Sequence, residues 1–251
     1  MEKIEQIKES DIFKKNGHID PNKVRKLAKR FWVRTFYHPD GIGLTSEMLE
    51  LNDMELLRKI DEINAYRERK IGYSKYMAWH LLKDKEMLDF GCGSAPDSHY
   101  IAENIGLKKL TIADIVPQNI ELSKRHLSCV IDNLETFLWN RPSDLKKLGM
   151  FDVIYSNGVL MTMPDEKIVV NELKKHLRKD GFFIIMLYTL KFKPNIIISL
   201  KEPDLKNLAE GIYTRGHSIN HVKKLFGSDM EITETKTFRE GWYRRYIIKW
   251  R

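Results

Sequence analysis

The chain has 251 residues, of which 42% are hydrophobic and 31% are charged, and its formal net charge is +8 at pH 7. This length and composition predict one α/β domain with an appendage, large enough to bury a sizeable core. The two cysteines, Cys92 and Cys129, are too few for a disulfide framework, and the lack of paired Cys/His spacings predicts no metal site. A charged amino terminus and no long apolar run lead us to expect a cytoplasmic protein with no membrane partner.

The basic residues are scattered along the chain rather than clustered. Lysine pairs recur, several of them where helices are expected to end, which suits the negative end of the helix dipole. The sequence has no cluster of arginine and aromatic residues of the kind that reads RNA. Nucleic acid is therefore an alternative partner that the sequence does not favour, and the pattern predicts no particular oligomeric state.

Residues 1–85 are predicted to be helical. Asp20 followed by Pro21 is typical of a helix start, because proline fits the first helical turn. A second, long helix is predicted to begin near residue 45, and a loop over residues 35–44 separates the two. We expect this region to cap one end of a catalytic core rather than to fold by itself.

From residue 86 onward the sequence predicts alternating strands and helices. The predicted strands are residues 86–90, 110–113, 129–131, 151–156 and 182–187. The predicted helices include residues 117–127 and 165–179. This alternation indicates a parallel sheet covered by helices. After an irregular stretch, a short helix (218–226) and two strands (231–238 and 244–250) predict an antiparallel hairpin at the carboxyl terminus.

The first strand of this region ends in a glycine turn. Asp89, Gly91, Gly93 and Ala95 follow the pattern acid-x-Gly-x-Gly-x-small, and glycines let a ligand approach the backbone closely. The dinucleotide fingerprint requires a glycine at the position that Pro96 occupies, so that fingerprint is excluded. The turn therefore favours a different nucleotide-type cofactor.

This turn resembles the first motif of the class I S-adenosylmethionine-dependent methyltransferases. Residues 151–160 look like the family's fourth-strand motif, and residues 174–181 look like its fifth helix and following turn, so the likeness extends over roughly residues 86–188. The nearest branch is the small-molecule one, which includes ubiquinone, menaquinone and natural-product methyltransferases. The resemblance implies a Rossmann-like, seven-stranded, mostly parallel sheet with an antiparallel hairpin, to which the sequence adds an amino-terminal helical cap.

The helical pattern before residue 86 and the resemblance after it divide the chain into two expected regions. Residues 1–85 form the cap and substrate region, and residues 86–251 form the core that binds S-adenosylmethionine or its product S-adenosylhomocysteine. A further cap insertion is expected near residues 189–220. The cap and this insertion match no family motif, so the parts expected to select the substrate are those that the resemblance does not cover.

The implied cofactor site lies at the carboxyl ends of the strands. Asp114 is expected to bind the ribose hydroxyls, Asp132 and Asn133 the adenine, and the carbonyls of Asn157 and Gly158 the methionine amino group. The full predicted set is Asp89, Gly91, Cys92, Gly93, Asp114, Ile115, Asp132, Asn133, Asn157 and Gly158. The alternatives without a functional role are that Asp114 is a solvated strand end and that Asp132-Asn133 is an ordinary turn.

Candidate groups for the methyl acceptor come from irregular segments. Tyr37, His38, Tyr188 and His217, with Tyr213 nearby, supply titratable or aromatic side chains, although such aromatics can simply pack a cap onto a core. We predict methyl transfer to a small-molecule acceptor by in-line displacement. The alternatives are an RNA or protein methyltransferase and a catalytically inactive regulatory protein that binds the cofactor.

Overall fold

A computed structural model describes residues 20–32, 36–38, 41–43, 45–191, 215–238 and 240–251 of the chain. For residue 71, and for those residues between 30 and 46 that fall in these ranges, the structure gives the backbone alone. No helix in these ranges is both long enough and apolar enough to cross a membrane.

The main sheet contains seven strands: β3 (Glu86–Phe90), β4 (Lys109–Asp114), β5 (Leu134–Leu138), β6 (Phe151–Asn157), β7 (Leu177–Tyr188), β8 (Met230–Phe238) and β9 (Tyr243–Trp250). Their spatial order is β5-β4-β3-β6-β7-β9-β8. Neighbours from β5 to β7 run parallel, and β9 runs antiparallel to both β7 and β8. The predicted α/β fold with a mostly parallel sheet and a terminal hairpin is therefore confirmed.

Helices cover both faces of this sheet. Those in the described part of the chain are α1 (Pro21–Trp32), α2 (Thr45–Glu50), α3 (Asp53–Ile71), α4 (Tyr73–Tyr76), α5 (Pro96–Asn104), α6 (Pro117–Leu127), α7 (Glu166–Lys174) and α8 (Ile219–Phe226). Alternate side chains of β6 face opposite ways: Ile154 packs into a core with α7 and α8, whereas Val153 and Tyr155 pack into a second core with α4 and α5. Two apolar layers thus hold the sheet between the helices.

One strand of the predicted sheet was placed wrongly. Residues 129–131 follow α6 as a turn, and β5 begins only at Leu134. The apolar run Cys129-Val130-Ile131 favoured a buried strand, but β5 is an edge strand with mostly exposed or half-buried side chains, so its sequence lacks that apolar character. As a result Asp132 and Asn133 precede their strand instead of following it.

Two helical predictions and one loop prediction also change. The helix predicted over residues 165–179 ends at Lys174, and β7 starts at Leu177 because the Arg178–Gly181 stretch continues the strand. The long helix predicted after residue 45 is two helices, α2 and α3, with Asn52 as the N-cap of α3. The loop predicted over residues 35–44 contains a small hairpin of β1 (Phe36–His38) and β2 (Gly41–Gly43).

The described part of α1 lies against the loops that follow β5 and β6. Arg25 forms a buried ion pair with Asp165 just before α7, with 2.5 Å between Nη1 and Oδ2. Lys29 hydrogen-bonds Asn140, which follows β5 by two residues. Because both contacts are made beyond the carboxyl ends of parallel strands, α1 lies beside the edge of the sheet where α/β proteins bind ligands.

Candidate functional site

The glycine turn after β3 requires unusual backbone conformations. Gly91 and Gly93 have φ of +78° and +56°, and Ala95 also lies in the left-handed region at +49°. A Cβ at Gly91 would lie 2.4 Å from Cγ2 of Val159, whereas a Cβ at Gly93 would meet no described heavy atom within 4 Å. Gly91 is therefore required by space as well as by conformation, and Gly93 by conformation alone.

Asp114 ends β4 and braces this turn. Its carboxylate accepts hydrogen bonds from the backbone N–H groups of Gly93, at 3.0 Å, and Val116, at 2.8 Å, and contacts the Asn119 amide at 3.4 Å. Only 6% of the residue is exposed. Burial raises the pKa of Asp114, while these hydrogen bonds lower it in part. The Asp114 carboxylate thus stabilises the turn through hydrogen bonds, and the residue is not a solvated strand end.

Polar residues on one face of α6 form hydrogen bonds with the carbonyl groups of the glycine turn. Asn119, Ser123 and His126 are buried and follow one another at helical spacing. The Ser123 hydroxyl donates to the Gly93 carbonyl at 2.8 Å, and Nε2 of His126 lies 2.9 Å from the Ser94 carbonyl. These residues were not predicted, although polar residues that recur at positions expected to face the core are the sequence signal that marks them.

His126 pairs with a second buried histidine, His99. Their Nδ1 atoms are 3.1 Å apart. Since Nε2 of His126 faces a carbonyl it must carry a proton, so its Nδ1 is the acceptor and Nδ1–H of His99 the donor. Burial and the neighbouring His99 lower the pKa of His126 to about 3, so this ring is neutral at pH 7.

Asp89 lies inside the end of β3, almost wholly buried. The Ser98 hydroxyl donates to its carboxylate at 2.6 Å. Burial is the main cause that raises the pKa of Asp89 to about 7, helped by the negative charges of Asp97 and Asp114. Asp89 therefore prefers its neutral form over much of the acidic range, unlike an exposed aspartate.

A second polar cluster, the Asp97 network, lies at the start of α5. Buried Asp97 accepts hydrogen bonds from Arg67 at 2.5 Å, from the Tyr155 hydroxyl at 2.6 Å and from the Asn157 amide at 2.7 Å. The Asn157 amide also reaches the Tyr73 hydroxyl at 2.6 Å. The side chain of Asn157 is thus committed to protein partners, and sequence reasoning missed the network because its members are far apart along the chain.

The structure brings most of the predicted cofactor-binding residues to one edge of the sheet. Asp89 lies at the end of β3, and Gly91, Cys92 and Gly93 follow that strand. Asp114 ends β4 and Ile115 follows it, and Asn157 ends β6 and Gly158 follows it. The exceptions are Asp132 and Asn133, which lie at the opposite edge. The Asn133 carbonyl accepts from Leu110 near the start of β4, and its amide contacts the Lys108 carbonyl. Their predicted place at the carboxyl end is therefore wrong.

Two of the predicted acceptor-side residues meet at the end of β7. The backbone N–H of His217 donates to the Tyr188 carbonyl at 2.8 Å, and the Tyr188 ring packs against Tyr243 with 5.0 Å between ring centroids. The side chains of Tyr37 and His38 and the whole of Tyr213 lie outside the described residues. Their predicted roles stay predictions.

A seven-stranded sheet of this order, with an acid and a glycine turn at the end of β3, defines a class I methyltransferase fold. The chain belongs to a methyltransferase family, because the model of a methyltransferase domain matches residues 81–230. The domain is of the S-adenosylmethionine-dependent class, which confirms the predicted enzyme class and cofactor.

Sequence relatives differ in the acceptors that their names give. Arsenite methyltransferase of Mus musculus is 27% identical over 111 residues, covering 40% of this chain and 30% of that protein. Ribosomal protein L11 methyltransferase of Clostridium perfringens (strain SM101 / Type A) is 24% identical over 197 residues, covering 73% of this chain and 60% of that protein. The chain thus spans between about a third and three fifths of the length of these curated relatives.

Solved structures share the fold at low identity. The S-adenosylmethionine-dependent methyltransferase from Anabaena variabilis ATCC 29413 has a TM-score of 0.58 at 13% identity, covering 91% of this chain and 95% of that chain. The N-methyltransferase NodS from Bradyrhizobium japonicum WM9, solved with S-adenosyl-L-homocysteine, has a TM-score of 0.54 at 13% identity, covering 82% of this chain and 96% of that chain.

Proposed function

We propose that this protein transfers a methyl group from S-adenosylmethionine to a small-molecule acceptor at the carboxyl edge of the sheet. The observation that carries the proposal is the convergence at this edge of the glycine turn, Asp89 and Asp114. We also propose that residues 1–85, with an insertion near residues 189–220, cover this edge and select the acceptor. In that arrangement the core supplies the cofactor site and the cover supplies specificity.

The residues present fit this cofactor. Open space beside Gly93 leaves room for a ligand against the backbone, and the carboxylate of Asp114 suits a pair of ribose hydroxyls. The bound cofactor would supply an electrophilic methyl group. What the chain contributes is alignment and exclusion of water, since its buried turn is already held by α6 before a ligand arrives.

A cavity at the end of β7 supports a small acceptor. Its volume is about 390 Å³, within the range of small-molecule sites. Described residues that line it include Thr189, Lys191, His217, Ser218 and Arg244. Tyr188 immediately precedes this lining and His217 belongs to it, which supports a role for both in binding or deprotonating the acceptor.

A protein acceptor is the second candidate, favoured by the relative named for ribosomal protein L11. A transfer assay separates the two. The chain is incubated with S-[methyl-³H]adenosylmethionine and a cell extract, which is then divided into small molecules, protein and RNA. We expect a new labelled compound in the small-molecule fraction, separated by chromatography from unreacted S-adenosylmethionine and absent when the chain is left out. Label in protein or RNA overturns the small-molecule assignment and leaves methyl transfer intact.

Calorimetry tests the cofactor itself. We expect S-adenosylhomocysteine to bind to one site per chain, and NAD to give no saturable heat because Pro96 disrupts the dinucleotide fingerprint. Tight NAD binding without a response to S-adenosylhomocysteine would contradict the proposal.

Replacing Asp114 tests the ribose contact. Asp114→Ala should lower the affinity for S-adenosylhomocysteine by roughly ten- to a hundredfold, because charge-assisted hydrogen bonds of about 1.5–3 kcal/mol are lost. The free energy of unfolding should fall too, since the N–H groups of Gly93 and Val116 lose an acceptor. Asp114→Asn, which keeps one acceptor oxygen for Val116, is the matched control. It should also lose affinity for S-adenosylhomocysteine, but its free energy of unfolding should fall less than that of Asp114→Ala. An affinity unchanged in both variants would rule out this contact.

Acceptor-side variants test the other half of the site. Tyr188→Phe and His217→Ala should lower methyl transfer while leaving the affinity for S-adenosylhomocysteine nearly intact, because both residues lie beyond the glycine turn. Tyr37→Phe and His38→Ala carry the same expectation. Exposed His80, after α4, provides the control His80→Ala, which should change neither quantity. A parallel loss of cofactor affinity would show that these residues only support the fold.

A further inference from the structure

Against the expectation of no metal site, one buried cluster carries the side chains of a metal centre. Glu166 opens α7, and His217 and His221 flank the start of α8. The two carboxylate oxygens of Glu166 lie 2.7 Å from Nε2 of His217 and 2.8 Å from Nε2 of His221. One ligand atom from each residue lies within 4.8 Å of the others. Only 2% of the Glu166 side chain is exposed.

The three side chains sit on a well-fixed backbone. His217 pairs with the end of β7 through its contacts with Tyr188 and Thr189. Gly216 lies so close to that strand that a Cβ there would be 2.5 Å from the Thr189 carbonyl oxygen. The Ser218 side chain caps α8 by accepting from the His221 N–H. The ligand atoms therefore converge because of the fold and not through long, freely rotating side chains.

With Arg215 in place and Glu166 ionised, the cluster cannot satisfy all its polar contacts. The Arg215 guanidinium forms an ion pair with Glu166, and its Nη2 lies 3.1 Å from Nε2 of His221. Arginine only donates, so Nε2 of His221 must then present a lone pair, which faces the Glu166 carboxylate with no proton between them. If Nε2 is protonated instead, it faces the arginine donor. One of the two contacts is unfavourable in either tautomer.

Other atoms of the cluster also lack partners. Nδ1 of His217 and Nε of Arg215 are buried and make no hydrogen bond within the described part of the chain. The Nε–H of arginine is a donor that a metal ion cannot satisfy, and Nδ1 of His217 is not the nitrogen that faces Glu166, so a metal ion is indicated by the Nε2 atoms and the carboxylate rather than by these two atoms. A metal ion would accept the lone pairs of both imidazoles and of the carboxylate at once, so it resolves the conflict that the guanidinium creates.

We propose that Glu166, His217 and His221 bind one divalent transition-metal ion of the Zn²⁺ type, in the place that the Arg215 guanidinium now occupies. Two imidazoles and a carboxylate suit Zn²⁺ and its neighbours better than Ca²⁺ or Mg²⁺. Three protein ligands leave a fourth position open in a tetrahedral zinc site. The site adjoins the cavity at the end of β7, and it is independent of which acceptor is methylated.

Zinc titration of the untagged chain, stripped with EDTA, tests the site. We expect one Zn²⁺ per chain by calorimetry and a visible absorption spectrum of tetrahedral type with Co²⁺. Half-exposed His221 can be replaced with little risk to the fold, and His221→Ala should lower Zn²⁺ affinity by at least roughly tenfold, since losing even an outer-shell partner costs about 10–100-fold. Glu166→Gln should do the same, and His80→Ala should have no effect.

Arg215 gives the sharpest comparison. Arg215→Met removes the competing cation and should raise Zn²⁺ affinity by at least about tenfold, whereas Arg215→Lys keeps the charge and should raise it far less. Absence of stoichiometric Zn²⁺ binding in both the native chain and Arg215→Met overturns the proposal, as does binding that survives His221→Ala unchanged. S-adenosylhomocysteine binding measured on the same samples reports the cofactor site separately, so failure of one proposal is distinguishable from failure of the other.

Discussion

Gly91→Ala is expected to destabilise the protein and to abolish measurable binding of S-adenosylhomocysteine. The added Cβ would lie 2.4 Å from Cγ2 of Val159, and the new alanine would have to adopt the φ of +78° that Gly91 has. Crowding of this kind costs about 1–3 kcal/mol, and a strained backbone conformation costs about 1–3 kcal/mol more. The free energy of unfolding should therefore fall by roughly 2–6 kcal/mol in urea denaturation.

Two matched variants separate the causes. Gly93→Ala adds a Cβ with open space around it at a φ of +56°, so it should lose only about 1 kcal/mol, for conformational strain alone. Val159→Ala in the Gly91→Ala background should restore part of the lost stability, because it removes the γ-carbons nearest to the new Cβ. Equal losses for the two glycine variants, with no recovery in the double variant, would contradict the close approach of Val159.

Opposite pH dependences are expected from Asp89 and His126. In the folded chain Asp89 stays protonated up to a pKa of about 7, while an unfolded aspartate ionises near 3.9. Between these values the folded chain holds one more proton, so the contribution of Asp89 to stability grows as the pH falls. Folded His126 stays neutral down to a pKa of about 3, while an unfolded histidine protonates near 6.5. Its contribution is therefore present above about pH 6.5 and is lost as the pH falls.

These two contributions oppose each other between about pH 4 and 6.5, each with a slope of about 1.4 kcal/mol per pH unit. His126→Gln, whose amide can still reach Ser94, should gain up to about 2.7 kcal/mol relative to the native chain when the pH is lowered from about 6.5 to 4.5. Asp89→Asn should lose a similar amount over the same interval. Urea denaturation at several pH values measures both. Variants whose stability tracks the native chain at every pH would show that neither group has the pKa assigned to it.

Local sequence signals predicted the framework of the proposed cofactor site. The run from Met87 to Ala95 contains a buried strand, two glycines and an acid within nine residues, so every property that identifies it is local. The same holds for Asp114 and for the strand that ends at Asn157. Parallel strands bring such ends to one edge of the sheet, which is why their convergence could be predicted without knowledge of any long-range contact.

The errors arise where local character and structural position disagree. β5 is an edge strand, and its Glu135 and Thr136 are exposed, so the apolar run before it was mistaken for the strand. That error moved Asp132 and Asn133 to the wrong end of the sheet. Residues 178–180 likewise read as a helix end, because their polar character does not distinguish a turn from the exposed start of a strand.

The residues that were missed depend on contacts between distant parts of the chain. Arg67 meets Asp97 across 30 positions, and Glu166 meets His217 across 51. No spacing rule for a single helix or strand links such pairs. The polar residues on α6 are different, since Asn119, Ser123 and His126 share one helical face, and their polar character on an inward face was visible in the sequence.

The hydrogen bonds from α6 to the glycine turn also affect the thermodynamics of ligand binding. Ser123, His126 and Asp114 already bond the turn, so its backbone groups are ordered before a ligand arrives. An ordered receptor gives up little conformational entropy on association, and more of the contact energy is retained as affinity. Ser123→Ala removes one of these hydrogen bonds. Calorimetry should therefore show a larger entropic penalty of ligand binding for this variant, even though Ser123 does not need to touch the ligand.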